Sequence, residues 1–377
     1  MLPQDTVLIT DLQGMIVDLV DKKDAGDNIE VFEGLLCPGF INCHCHLELS
    51  HMKGLIPKHT GLVDFVFRVV TERHFEEQEV IAGIEKGERQ MLENGIVGVG
   101  DICNNILTLA QKAEGRLSYH NFIEASGFPP DVAVLRFQRA KDIYNSYASA
   151  LPDNSITPHA PYSVSPEMFR MINEFPNNNL LSIHNQETTA ENEFFENASG
   201  DLLRMYEKMG IDISFFKPSH RSSLQTWLPY FTKAQSIILV HNTVTSAADI
   251  KFAKLQTVNR KLQTFFCLCP NANLYITNTL PDVQLLINQQ CDIVLGTDSL
   301  ASNDQLSILE EIKILQQNFP DIELETMLKW ATSNGSIALQ MNDDLGSFEK
   351  TKKPGIVLVS SMNGIKLTDR SKARRIL

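Results

Sequence analysis

The sequence predicts a (β/α)8 (TIM) barrel with a small β-sandwich domain formed by both chain termini. Three observations lead there. Eight short β-branched or apolar runs alternate with amphipathic helical stretches, the pattern of parallel strands joined by crossover helices. The eight units occupy about 300 residues, which suits such a barrel with insertions. The two chain ends read differently, as short strand pairs around turns.

The expected barrel strands are residues 37–46, 96–101, 118–125, 155–162, 180–187, 236–242, 264–270 and 291–298. Helix signals lie between them. Val80, Ile84, Gly87 and Met91 recur at helical spacing, and Gly95 follows as a stop. Ser165-Pro166-Glu167 reads as a cap, a first-turn proline and a first-turn acid. Thr245-Ser246 opens a further helix, and Leu306, Leu309, Ile312 and Leu315 pattern the stretch 304–319. At the N-terminus, 6–9 and 15–20 are short strands around Gln13-Gly14. At the C-terminus, 355–360 and 365–367 flank Asn363-Gly364, a hairpin signal. The expected boundaries are 1–36 and 344–377 for the small β domain, and 37–343 for the barrel.

Charge and cysteine usage exclude several classes. The formal net charge is -13, so the basic footprint of a nucleic-acid binder is missing. The one basic cluster, Lys372, Arg374 and Arg375, reads as a solvated tail. The 7 cysteines sit in or beside apolar runs at unpaired spacings, which indicates buried thiols in a reducing cytoplasm. Alternation within the first strand sends Cys43 and Cys45 toward the helices. Asp5 and Asp11 occupy the place of a signal peptide's basic start, and no apolar run is long enough for a membrane span. The expected partner is a small-molecule substrate, with no nucleic acid and no membrane; a homo-oligomer is compatible with this reading.

Chemistry in a barrel of this kind sits at the C-terminal ends of the strands. His44 and His46 close the first strand with both imidazoles on one face. His159, His184, His241 and Asp298 end the fourth, fifth, sixth and eighth strands, and Glu187 follows His184 by three residues. Any one of these alone is a weak signal. His51, His59, His74, His120 and His220 are read as surface or hydrogen-bonded residues, and Asp101 as a structural hydrogen-bonding group. The weight lies in the coincidence of five histidines and two carboxylates at the ends of five strands. Imidazoles with one carboxylate suit Zn²⁺, with Fe²⁺ as competitor. Such an ion brings a bound water's pKa to near neutrality. Asp298 could then take the water proton and pass it to a leaving group, Glu187 could protonate the atom that gains electrons, and His241 could hydrogen-bond the developing oxyanion.

Several segments resemble the amidohydrolase superfamily. They are Pro38-Gly39-Phe40-Ile41-Asn42-Cys43-His44-Cys45-His46, Pro158-His159-Ala160-Pro161-Tyr162, His184-Asn185-Gln186-Glu187-Thr188, Val240-His241-Asn242, Pro270-Asn271-Ala272-Asn273-Leu274 and Gly296-Thr297-Asp298-Ser299-Leu300-Ala301-Ser302-Asn303. They fall in family order across nearly the whole chain. The nearest branch is the deaminase and chlorohydrolase group, which includes S-adenosylhomocysteine, guanine and aminodeoxyfutalosine deaminases. The resemblance implies metal ligands at His44, His46, His184 and Asp298, proton-handling residues at Glu187 and His241, and His159 near the substrate. The fourth strand lacks the lysine or glutamate that bridges two ions in binuclear relatives, so the resemblance implies one divalent ion. The seventh strand reads Cys267-Leu268-Cys269-Pro270 in place of the common Ser-His-Asn-Pro, so a substrate contact there is not carried over. The terminal β domain also looks one strand short at its start, which implies a late translational start or a Met1 other than the natural one.

The expected function is metal-dependent hydrolytic deamination of a heteroaromatic amine, with an aminopurine nucleoside such as aminodeoxyfutalosine as specific candidate. The alternatives are a cyclic amide or chlorotriazine hydrolase on the same site, and a catalytically inactive barrel used as a scaffold.

Overall fold

A computed structural model describes residues 5–377. Its strands are β1 (Thr6–Thr10), β2 (Ile16–Asp21), β3 (Leu35–Pro38), β4 (Phe40–Cys45), β5 (Ile96–Cys103), β6 (Ser118–Ala125), β7 (Asn154–Pro158), β8 (Leu180–Asn185), β9 (Ser236–His241), β10 (Gln263–Leu268), β11 (Asp292–Leu295), β12 (Ile356–Ser360) and β13 (Lys372–Arg375). Strands β4-β5-β6-β7 form one parallel sheet and β8-β9-β10-β11 another. The two sheets are the halves of one barrel. At one seam Cys45 bridges Asp298 in parallel. At the other, side chains enter the ladder. The Thr157 hydroxyl accepts from the Ser182 amide at 2.8 Å and donates to the Ser182 carbonyl. The His184 amide donates to the His159 carbonyl at 3.0 Å, which continues the seam to the C-terminal ends of the strands.

The expected helices form, and their apolar faces cover the barrel. Glu77–Glu93 buries Val80, Ile84, Gly87 and Met91. Ser165 caps Pro166–Glu174 by accepting from the Met168 amide at 3.1 Å. Ser246 and Asp249 make a reciprocal capping box at the start of Ala247–Arg260. The barrel's lower interior is filled by Ile41, Phe122, Ile238, Val240, Phe265 and Val294, joined by Leu339 and Leu345 from the segment after helix Ser333–Ala338. Gly98 and Gly100 make room for that plug. A Cβ at Gly98 would lie 3.2 Å from Leu345 Cδ1, and one at Gly100 2.9 Å from Leu339 Cδ2.

Several expectations are corrected. The run 37–46 is two strands, split at Gly39, whose missing Cβ would sit 2.3 Å from Val97 Cγ1. Its first part, β3, joins β12 and β13 in a separate antiparallel sheet and so straddles the expected boundary at residue 37. Cys43 meets a helix as expected, its Sγ 3.8 Å from the Gly335 carbonyl in Ser333–Ala338, but it does so from the barrel's interior cluster. The β4–β5 register slips between Asn42 and Cys45, and this bulge leaves Cys43 in the interior cluster with Ile41, Phe122 and Cys267. Residues 365–367 are not the partner of β12. That partner is β13, so the basic residues Lys372, Arg374 and Arg375, exposed to solvent as expected, lie on a paired strand and not in a tail. Asn363 and Lys366 only close a turn. The helix expected over 304–319 spans Ile308–Asn318. The antiparallel pair β1–β2 packs with the C-terminal segment through Ile16 and Lys352, whose amide–carbonyl bond is 2.8 Å.

Asp101 has a larger role than one hydrogen bond. Its Oδ1 accepts from the Leu47 amide at 2.8 Å, just past His46. Its Oδ2 lies 2.5 Å from Lys112 Nζ, and both side chains are fully buried. Lys112 also donates to Asn121 Oδ1 at 2.9 Å. Lys112→Met should therefore leave a buried carboxylate without its cation and cost about 3–5 kcal/mol in denaturant unfolding. Adding Asp101→Asn should recover part of that loss.

Candidate metal centre and active site

The seven residues singled out in the sequence converge on one end of the barrel. His44 lies within β4 and His46 one residue beyond it. His159 follows β7 by one residue, His184 lies within β8, Glu187 follows β8 by two, His241 ends β9 and Asp298 follows β11 by three. One ligand atom each from His44, His46, His184 and Asp298 fall within 4.8 Å of one another. His46 Nε2 and His184 Nε2 are 3.4 Å apart, and Asp298 Oδ1 is 3.6 Å from Nε2 of both His44 and His46. Donors around one tetrahedral Zn²⁺ at about 2.0–2.1 Å would be separated by about 3.3–3.4 Å. Neither ring nitrogen of buried His44 has a hydrogen-bond partner among the described residues. The donor set and this orphaned imidazole fit a divalent cation.

The backbone and outer groups orient each donor. The Thr297 and Asp298 amides both donate to the His44 carbonyl, at 3.0 and 3.1 Å. Asp298 Oδ2 accepts from Ser302 Oγ at 2.6 Å, which leaves Oδ1 turned to the histidines. His184 Nδ1 lies 2.9 Å from the His159 carbonyl, so Nδ1–H donates there and Nε2 keeps its lone pair. Gln186, His241, Asn242 and Asp298 all have left-handed backbones, with φ of 47°, 77°, 59° and 56°. Strained residues clustered at strand ends mark a site held in place by its surroundings.

Electrostatics sorts the titratable groups. Burial raises the Asp298 carboxyl, but the close approach of the His44, His46 and His241 imidazoles outweighs burial and holds it well below the usual range. Burial, with Asp298 and Glu191 nearby, pushes Glu187 well up. Burial likewise brings His241 down to about 4, against the pull of Asp298 and with the help of His44. Glu187 Oε1 lies 3.7 Å from His241 Nε2. The turn carrying Glu187 is clamped by Glu191, whose two oxygens accept from the amides of Gln186 at 2.9 Å and Glu187 at 3.3 Å.

These groups open into a cavity of about 820 Å³, at the upper end of the roughly 300–1,000 Å³ usual for small-molecule sites. Much of its wall is apolar, with Leu62, Phe65, Val66, Phe128, Met205 and Ile276 among the lining, and Arg73, Arg136 and Lys208 line it too. Helices Leu62–Glu72, Thr189–Asn197 and Leu202–Met209 supply much of this wall's packing.

Sequence reasoning missed Glu124, the penultimate residue of β6, which lines the same cavity. It lies two residues after inward-facing Phe122, so strand alternation was the available signal. It also missed Ser302, whose relation to Asp298 depends on a loop conformation.

The amidohydrolase family profile matches residues 35–372. An adenosine deaminase of Helicobacter pylori is 27% identical over 333 residues, covering 85% of this chain and 77% of that protein. A 5-methylthioadenosine/S-adenosylhomocysteine deaminase of Teredinibacter turnerae is 26% identical, covering 88% and 73%. Among solved structures, aminofutalosine deaminase of Helicobacter pylori with methylthio-coformycin superposes with a TM-score of 0.78 at 22% identity, covering 99% of this chain and 95% of that one. A zinc-bound atrazine chlorohydrolase of Arthrobacter aurescens superposes at 0.71 with 15% identity, covering 97% and 84%. These two likenesses show the shared fold. The family match spans nearly the whole chain and includes every residue of the convergent site: this protein belongs to the amidohydrolase family.

Proposed function

We propose that this enzyme is a mononuclear metal-dependent deaminase of an aminopurine nucleoside, with aminodeoxyfutalosine as the specific candidate. The observation that carries the reading is the enclosed Glu187–His241 pair beside the three-histidine, one-aspartate cluster. A carboxyl that burial keeps protonated is what addition of water to a C=N bond requires. The named relatives, which are deaminases of adenosine and its derivatives, support the substrate class.

His44, His46, His184 and Asp298 would hold one ion, Zn²⁺ by ligand type and Fe²⁺ as competitor. Bound there, it would supply an acidified water near neutral pH. Asp298 takes one proton from the attacking water as the C–O bond forms. Glu187 gives its proton to the ring nitrogen that receives the C=N electrons. Neutral His241 hydrogen-bonds the incoming oxygen. Asp298 then returns its proton to the amino group, the C–N bond breaks, and ammonia leaves. The carbonyl forms as Glu187 recovers a proton from the oxygen. His159 holds the substrate ring from the side of His184.

Elemental analysis of the purified protein should find about one Zn²⁺ or Fe²⁺ per chain, and His44→Ala should lose the metal and the activity together. Two tightly held ions would refute the mononuclear assignment. Glu187→Gln should retain fold and metal but lose on the order of 10²–10⁴ in turnover. Loss of the metal instead would make Glu187 a ligand.

Ammonia release from a panel of purine nucleosides, free purines and pterins tests the reaction itself. Activity confined to cyclic amides or chlorotriazines would replace the deaminase reading. A metal-loaded protein inert on all of these would favour the scaffold reading.

A further inference from the structure

The pairing of β8 with β9 ends at Asn185 and His241. The two chains then leave through left-handed residues, Gln186 at φ 47° on one side and His241 and Asn242 at 77° and 59° on the other. Non-glycine residues are strained in that conformation and persist where their surroundings hold them. Glu187 stands on the first of these turns and His241 on the second, with Glu187 Oε1 3.7 Å from His241 Nε2. Gln186 holds the two turns against each other. It is fully buried and forms no part of the cavity lining.

Every polar group of Gln186 has a partner. Its side-chain Oε1 accepts from Thr245 Oγ1 at 2.8 Å, and its carbonyl accepts from the Val244 amide at 3.1 Å, so both grip the chain just past His241 and Asn242. Its Nε2 donates to Asn192 Oδ1 and to Asp249 Oδ2, each at 3.1 Å. The Ser223 amide donates to the same Asn192 oxygen at 3.0 Å. That fixes this oxygen as an acceptor, and the orientation of the Gln186 side-chain amide with it. On the other flank the Gln186 main-chain amide donates to Glu191 Oε1 at 2.9 Å, beside the Glu187 amide on Glu191 Oε2 at 3.3 Å. One buried residue is thereby joined to the turn of Glu187, to the turn of His241 and to helix Ala247–Arg260, which carries Asp249. Loss of one of these bonds strands a buried polar atom, which is costly.

We propose that Gln186 is a positioning residue that makes the Glu187 turn and the His241 turn one rigid unit, and so sets the separation of these two groups at the reacting centre. This rests on the reading of Glu187 and His241 as proton-handling residues, and it adds the residue that holds them in register. Glu191 and Thr245 act through Gln186 from opposite sides.

Hydrogen exchange on the purified full chain reads this linkage without a substrate. Thr245→Val removes one hydroxyl at nearly constant volume on the β9 side. It should speed exchange of residues 186–188, on the β8 side, roughly 10- to 100-fold, the usual effect of leaving a buried acceptor unpaired. Glu191→Gln, on the β8 side, should do the same to residues 242–245. Thr245→Ser keeps the hydroxyl and should leave both segments as in the wild type. Unchanged exchange across the junction would overturn the proposal. So would an equal rise in the remote strand β5, the mark of a merely structural role. Ammonia release from adenosine gives the second readout. Thr245→Val should lower kcat on the order of 10²-fold with KM little moved, the cost of misplacing a catalytic group by about 1 Å. Thr245→Ser should keep kcat. An unchanged kcat in Thr245→Val beside a large loss in Glu187→Gln would overturn the proposal and leave the acid assignment intact. If the wild type releases no ammonia from adenosine or any other nucleoside while exchange is coupled, the linkage stands and the deaminase reading falls.

Discussion

The His44 carbonyl accepting the Thr297 and Asp298 amides is the contact on which the rest of the site depends. It does three things at once. It closes the barrel between its first and last strands. It fixes the left-handed turn at Asp298, where φ is 56°. It also sets the distance between two side chains that point to the same place. Asn42 reinforces this closure from the outer side, donating to Thr297 Oγ1 at 2.8 Å and accepting from the Thr297 amide at 3.0 Å. Because these bonds involve backbone, the position of the carboxylate relative to the imidazoles is a property of the closed barrel.

That geometry has an electrostatic cost. Several imidazoles and three carboxyls share a space largely closed to water, and few of them are paired with one another at hydrogen-bonding distance. Burial lowers the pKa of His46 and, with its neighbouring imidazoles, holds His184 well below its ordinary value. The rings are thereby kept neutral, as ligation requires. Burial raises Glu187, while the imidazoles around Asp298 overcome burial and lower it. Two carboxyl groups in one cavity are thus driven to opposite protonation states, which is the division of labour that acid–base chemistry needs.

The barrel strands were legible because buried parallel strands are continuous apolar runs, and these are hard to conceal in sequence. The site histidines were legible because strand ends fall at fixed places in that pattern. What escaped detection depends on local irregularity or on distant partners. The bulge that turns Cys43 inward has no signature in Asn42-Cys43-His44. The pairing of Lys372–Arg375 with β12 arises from a long-range choice that a nearer turn signal obscured. Glu124 was overlooked because its strand reads as structural until the alternation is followed to its end. The apolar wall over the cavity comes from helices between strands, whose faces read as ordinary core.

The division of the barrel into two four-stranded halves has a thermodynamic consequence. Strands β4 to β7 bring His44 and His46, and strands β8 to β11 bring His184 and Asp298. Neither half alone supplies more than two of these four donors. An ion bound by all four is therefore a cross-link between the halves, and the free energy of docking one half on the other is contained in its affinity. Weakening the Thr157–Ser182 seam would loosen the binding of such an ion, by the same linkage that would let it hold the seam shut.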